Sequence, residues 1–98
     1  MIDLQQLETF RVLAATNNFT RTAVELGYCQ STVTTHIKSL ESELGASLFV
    51  RSRFSKTVAL TDVGCRTLEY AERLLALANE AKSAIGRGVH PQPQDVAF

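Results

Sequence analysis

The sequence has little that would cross-link, break or embed it. Its two cysteines, Cys29 and Cys65, stand alone and far apart. No C-x-x-C pair is present, so neither a zinc site nor a redox dithiol is expected, and no other metal site or cofactor is either. Two free thiols suit a reducing cytoplasm. There are only two prolines and five glycines, which argues against disorder over most of the length. No apolar run approaches the ~18 residues of a membrane span. Met1 is followed by Asp3 and polar residues, not by a signal-peptide pattern. Excess charge of one sign is missing too: ten basic and ten acidic residues leave a net charge of zero. That excludes strong non-specific binding to a polyanion by one copy. The marks of an enzyme are also absent. There is no Ser-His-Asp order, no carboxylate pair suited to a pocket and no glycine-rich phosphate loop, so no catalysis is expected.

What is present is an ordinary globular composition, 45% hydrophobic and 20% charged over 98 residues. That is one domain at most, able to bury about 65% of its unfolded surface. Residues 4–16 are expected to form a helix, with Leu4, Leu7, Phe10, Leu13 and Ala14 on one face. Asp3 is its natural N-cap, and Asn17-Asn18 ends it. Thr20 is expected to cap a second helix over 20–26, with Ala23, Val24 and Leu26 inward and Phe19 stapling its start. Gly27 then turns the chain.

A third helix is expected from about 31 to 44, closed by Gly45. It is split lengthwise. Val33, Ile37, Leu40 and Leu44 make an apolar stripe at i, i+4, i+7 and i+11. The other side carries Ser31, Thr32, Thr34, Thr35 and Lys38, with donors, acceptors and methyl groups but no acid. Serine and threonine are poor helix formers. A run of them is either a plain solvated face or a surface for the DNA major groove. Gln30 suits adenine, threonine methyls suit thymine methyls, and Lys38 suits a phosphate, which predicts a modest readout leaning to A·T. His36 has no acid or cysteine at ligand spacing and is expected to be a partly exposed helix residue.

Leu48-Phe49-Val50 and Val58-Ala59-Leu60 are β-like, and the basic stretch from Arg51 to Thr57 joins them as a hairpin wing. Arg53 and Lys56 at its tip are candidate DNA contacts. Arg51 fits either a structural ion pair or a phosphate clamp. Thr20 and Arg21 fit either a cap with a surface charge or a phosphate contact at a helix N-terminus. Residues 19–58 hold five basic groups against Glu25, Glu41 and Glu43.

Thr61-Asp62 opens the longest helix, to about Ile85 and ~36 Å. Leu68, Ala71, Leu75, Ala78, Lys82 and Ile85 alternate by three and four along it, a heptad-like seam. Val63, Tyr70, Leu74 and Leu77 form a neighbouring stripe. Two stripes need two surfaces: the domain's own core and, most simply, a second copy of the helix. The seam is expected to serve the second copy, the alternative being plain core against the first helix. Residues 87–98 look like a linker or tail.

The run FTRTAVELGYCQSTVTTHIKSLESELGASLFVRS, followed by VALTDVG, resembles the N-terminal domain of LysR-type transcriptional regulators. Phe10, Phe19, Thr20, Ala23, Leu26, Gln30, Val33, Ile37, Leu40, Glu41, Leu44, Gly45, Leu48, Phe49, Arg51, Leu60, Thr61 and Gly64 carry the likeness, over residues 1 to about 86. It implies a mainly α fold. A winged helix-turn-helix domain would occupy 1–61, with the helix-turn-helix at 19–38, and a linker and dimerisation helix would occupy 62–86. It implies a cytoplasmic bacterial regulator that binds partly palindromic promoter DNA as a homodimer or homotetramer. Gln30, Ser31, Thr34 and Thr35 would face bases or phosphates, the wing would enter the minor groove, and an effector-sensing domain would follow the C-terminus. The chain departs from the family pattern at Cys29 for Ser, Ser31 for Pro and Thr35 for Arg, and in a wing about two residues longer. Ser31 is therefore expected to take over capping. The rival reading is a winged-helix module that binds another protein and no DNA.

Overall fold

A computed structural model of the chain describes residues 1–51 and 57–88, with only the backbone of Arg87 and Gly88. The expected wing-tip contacts Arg53 and Lys56 and the expected tail from 89 onward lie outside the described residues.

Helix α1 spans Leu4–Thr16. Asp3 is extended, and its carboxylate accepts the Gln6 N–H at 2.9 Å, satisfying one of the orphan donors of the first turn. Asn17 ends the helix at φ 57°, and its N–H bonds the Leu13 carbonyl. Helix α2 spans Phe19–Leu26 and is capped by Asn18, not by Thr20. The Asn18 side chain accepts the Arg21 N–H at 2.9 Å, a reach it has because Asn17 has already turned the chain. The inward face corrects the expectation as well. Phe19, Thr22, Ala23 and Leu26 lie at i, i+3, i+4 and i+7, and Val24, about 100° further round, is 75% exposed. Thr22 is fully buried because its hydroxyl donates to the Asn18 carbonyl at 2.9 Å and lies 2.8 Å from the Thr16 hydroxyl.

Gly27 at φ 71° ends α2, and helix α3 spans Gln30–Leu44. Its N-cap is Cys29, which makes no side-chain cap hydrogen bond. Ser31 does not cap; it lies one residue inside the first turn, where its backbone is already helical. Gly45 closes the helix at φ 69°, donating to the Glu41 carbonyl at 2.8 Å. Val33, Ile37 and Leu40 are fully buried, while Leu44 at the end of the stripe is exposed.

Strands β1 (Phe49–Arg51) and β2 (Val58–Leu60) pair antiparallel, Phe49 opposite Leu60 and Arg51 opposite Val58. The Val58 N–H also bonds the Asn17 carbonyl at 3.0 Å, which ties the base of the wing to the α1–α2 corner. Around this frame Phe10, Leu13, Val33, Ile37, Leu40 and Leu48 form the innermost core, with Phe10 edge-on to Phe49 at 5.5 Å.

Helix α4 spans Asp62–Gly88. The Thr61 hydroxyl accepts the Gly64 N–H at 2.9 Å and so caps its start. At Gly64 a Cβ would lie 2.2 Å from the Leu48 carbonyl oxygen, so only glycine lets the helix backbone approach the residue before β1 this closely. The helix runs past the expected end, and residues 87 and 88 belong to it and not to a tail. Gly86 and Gly88 stay helical because each glycine costs only about 1 kcal/mol in a helix and does not by itself end one.

Candidate nucleic-acid interface

Helix α3 presents three sides. The core side is Val33, Ile37 and Leu40. A second flank is bound to α1. Ser39 accepts from the Gln6 amide at 3.1 Å, and the His36 Nδ1 lies 2.8 Å from the buried Thr9 hydroxyl. That hydroxyl donates its proton to the Gln5 carbonyl at 3.0 Å, so His36 is the donor in the contact with Thr9. Tyr28 meets the His36 ring edge-on at 5.5 Å. His36 therefore pins α3 to α1. Thr32, half-buried and about 100° round from Ser31, sits towards this flank and not at the centre of the bare side.

The bare side is a line of Ser31, Thr35 and Lys38, all exposed, with half-buried Thr34 next to it. Gln30 and Thr20 lie exposed at the edge nearest α2, and the Gln30 amide nitrogen donates to the Thr20 hydroxyl. Arg21 is exposed on α2 and pairs with Glu25 at 3.5 Å, one turn on. The Arg51 guanidinium, at the end of β1, lies over the Phe19 ring at 4.7 Å from its centroid. It has no carboxylate partner among the described residues, so the ion-pair alternative for Arg51 gives way to a cation–π contact that parks the charge beside the start of α2. Thr20, Arg21, Gln30 and Arg51 thus lie about α2 and its join to α3, and Ser31, Thr34, Thr35 and Lys38 follow along α3.

Carboxylates are absent from the bare side of α3, which the net charge alone did not reveal, while Glu25 stays beside Arg21 at the α2 edge. Glu41 turns inward, its carboxylate accepting the Leu48 N–H at 2.9 Å. Glu43 meets the N-terminal ammonium at 3.3 Å, and Glu25 is taken up by Arg21. The role of Glu41 had no signal in composition, because its partner is a backbone donor seven residues away. Lys38 has no acid within ion-pair distance among the described residues. Among those residues no cluster of His, Cys, Asp or Glu has the makings of a metal site, and no helix is long and apolar enough to cross a membrane.

The expected dimerisation seam divides differently. Ala71 is buried, and partly buried Leu68 and Leu75 pack against the same core, so these three face the domain's own interior. Helix α4 packs against α1, and Ala71 is buried in the core they share. Ala78 is half-buried, and Lys82 and Ile85 are exposed beyond the core. The bare apolar side is the neighbouring stripe: Val63, Tyr70 (63% exposed), Leu74, Leu77 (60%) and, further on, Ile85 (64%). It continues into a shallow groove with Ile2, Leu7 and Leu44.

Three helices with the third bare on one side, followed by a two-stranded hairpin, define a winged helix-turn-helix. The model of the lysR family of bacterial regulatory helix-turn-helix proteins matches residues 4–65, and the chain belongs to that family. It is 47% identical over 83 residues to the uncharacterized HTH-type transcriptional regulator YwqM of Bacillus subtilis, a match covering 85% of this chain and 28% of that protein. Its fold is similar to a full-length OxyR variant from Pseudomonas aeruginosa, with a TM-score of 0.85, 30% identity, and coverage of 92% of this chain and 30% of the other. It is also similar to the protein in the crystal structure of a CbnR_DBD–DNA complex, with a TM-score of 0.82, 30% identity, and coverage of 90% and 99%. The chain spans roughly a quarter of the length of the curated relatives it matches.

Proposed function

We propose that this chain is the DNA-reading, self-pairing part of a sequence-specific transcription regulator, acting in the cytoplasm without catalysis or cofactor. The observation that carries the reading is the bare side of α3: Ser31, Thr35 and Lys38 face outward, half-buried Thr34 lies beside them, and no acid is among them. A helix anchored on two sides and polar on the third has the form that enters a major groove. The similarity to a domain crystallised with DNA supports the same reading. Thr20, Arg21 and Arg51 flank the helix where phosphates would run, and Arg53 and Lys56 would extend the contact from the wing tip.

A weak local excess of positive charge means that one copy binds poorly. Two copies, paired through Tyr70, Leu74 and Leu77 of α4, would place two recognition helices about one helical turn apart, or a multiple of it, on a partly palindromic promoter site. Dimer and tetramer are both compatible with this arrangement. The length of the relatives supports an effector-sensing domain following α4 in the whole protein. Selection of random duplexes by the purified chain tests the reading. The expected product is a motif with two related halves. Recovery of unselected sequence, or equal affinity for every duplex, would falsify it and leave the protein-binding alternative.

A further inference from the structure

The contact between Thr20 and Gln30 joins the two helices of the helix-turn-helix at the surface, and neither side chain serves the core. Gln30 stands in the first turn of α3 and Thr20 in the first turn of α2, both exposed. The Gln30 amide nitrogen donates one proton to the Thr20 hydroxyl oxygen. Two consequences follow from the donor count. Gln30 keeps its second N–H and its carbonyl oxygen, the pair that matches N7 and the N6 amino group of adenine. Thr20, accepting from Gln30, keeps its own O–H proton free to donate. Its oxygen is not taken up by a backbone N–H either, because Asn18, not Thr20, caps α2.

We propose that Thr20 is a positioning residue: its hydroxyl donates to a DNA phosphate while holding the Gln30 amide in the orientation that reads adenine in the major groove. The inference rests on the DNA-binding reading above and adds a mechanism for the readout. A free glutamine side chain would lose rotamer freedom on binding; one already held by a neighbour loses less. The same hydroxyl links the backbone contact to the base contact. A shift of the domain along the duplex that breaks the phosphate contact therefore also releases the amide. Selectivity for adenine at one position in each half-site would then depend on a residue that touches no base.

The test uses a duplex recovered from the random pool by the 98-residue chain. Single adenines in one half are replaced by 7-deazaadenine, which lacks only the N7 acceptor. The wild-type chain is expected to lose about tenfold in affinity at one position, within the range of a good base contact. Thr20→Val, which keeps the shape and removes the hydroxyl, is expected to bind less tightly and to lose most of that penalty. Thr20→Ser should restore both. Circular dichroism verifies that the variants fold. A Thr20→Val chain that keeps the full 7-deazaadenine penalty overturns the positioning role. So does a Thr20→Ser chain that behaves like Thr20→Val. A wild-type chain indifferent to every such replacement overturns adenine reading by Gln30. Failure to recover any duplex overturns DNA binding itself, and the four results are distinct.

Discussion

Helices α3 and α4 each bury one face and leave another bare, but the bare faces have opposite chemistry. On α3 the exposed line is Ser31, Thr35 and Lys38, small, polar and cationic. On α4 it is Tyr70, Leu74 and Leu77, large and apolar. Burial alone does not separate these surfaces, since both are open to solvent. The difference lies in what water does at each. It hydrates the first at little cost and is released favourably from the second. A polar, acid-free face suits a hydrated polyanion, and an apolar stripe along a helix suits another such stripe. One chain thus carries two kinds of unfinished surface, each naming the chemistry of its complement.

The strongest way to break the comparison is to remove the frame that both helices share. Leu40 is fully buried between α3 and the rest of the core. Leu40→Ala is expected to cost ~2–5 kcal/mol of stability in urea or thermal unfolding. A cost under 1 kcal/mol would mean that the core of α3 is not packed as described. Next in size is Leu77→Glu, placed on the bare side of α4 and away from the core. Each copy would lose a Leu burial of ~1.5–3 kcal/mol, so dissociation of the pair should rise by roughly 100-fold or more. Sedimentation equilibrium reads this, and an unchanged assembly would move the pairing surface elsewhere.

The next two variants sharpen the α3 side. Thr34→Ala should reduce discrimination between selected and unselected duplexes by ~1–3 kcal/mol if Thr34 makes a good base contact. The self-association of the chain should not change. Lys38→Ala should weaken binding to all sequences alike and lower the salt dependence by about one unit of slope. If Lys38→Ala instead changes which sequence is preferred, the lysine reads a base and not a phosphate.

The sequence was most legible where a single period decided the outcome. The Val33, Ile37 and Leu40 spacing predicted both the core side of α3 and its bare side, and Asp3, Gly27 and Gly45 marked turns and caps where they occur. It misled where polar residues went inward or apolar ones stayed out. Thr22 is buried because two nearby oxygens satisfy its hydroxyl, and Val24 is exposed because its place on the wheel outweighs its hydropathy. On α4 two apolar stripes lay side by side, and periodicity did not say which one met the domain. Gly64 did, by being small where α4 passes Leu48, a signal that depends on knowing the neighbour. At the site, the residue types of the recognition face were visible in order. The joins to it were not: Gln30 to Thr20, His36 to Thr9 and Arg51 to Phe19 each link separate elements, and no local pattern encodes such a pair.

The missing side chain at Gly64 sets more than a local fit. It lets the backbone of α4 lie directly on the carbonyl of Leu48, so the axle and the reading head are cast as one piece. In a pair of chains joined along α4, the crossing angle of the two axles dictates where the two heads land. The distance between half-sites on the duplex would then be calibrated by an atom the glycine does not have.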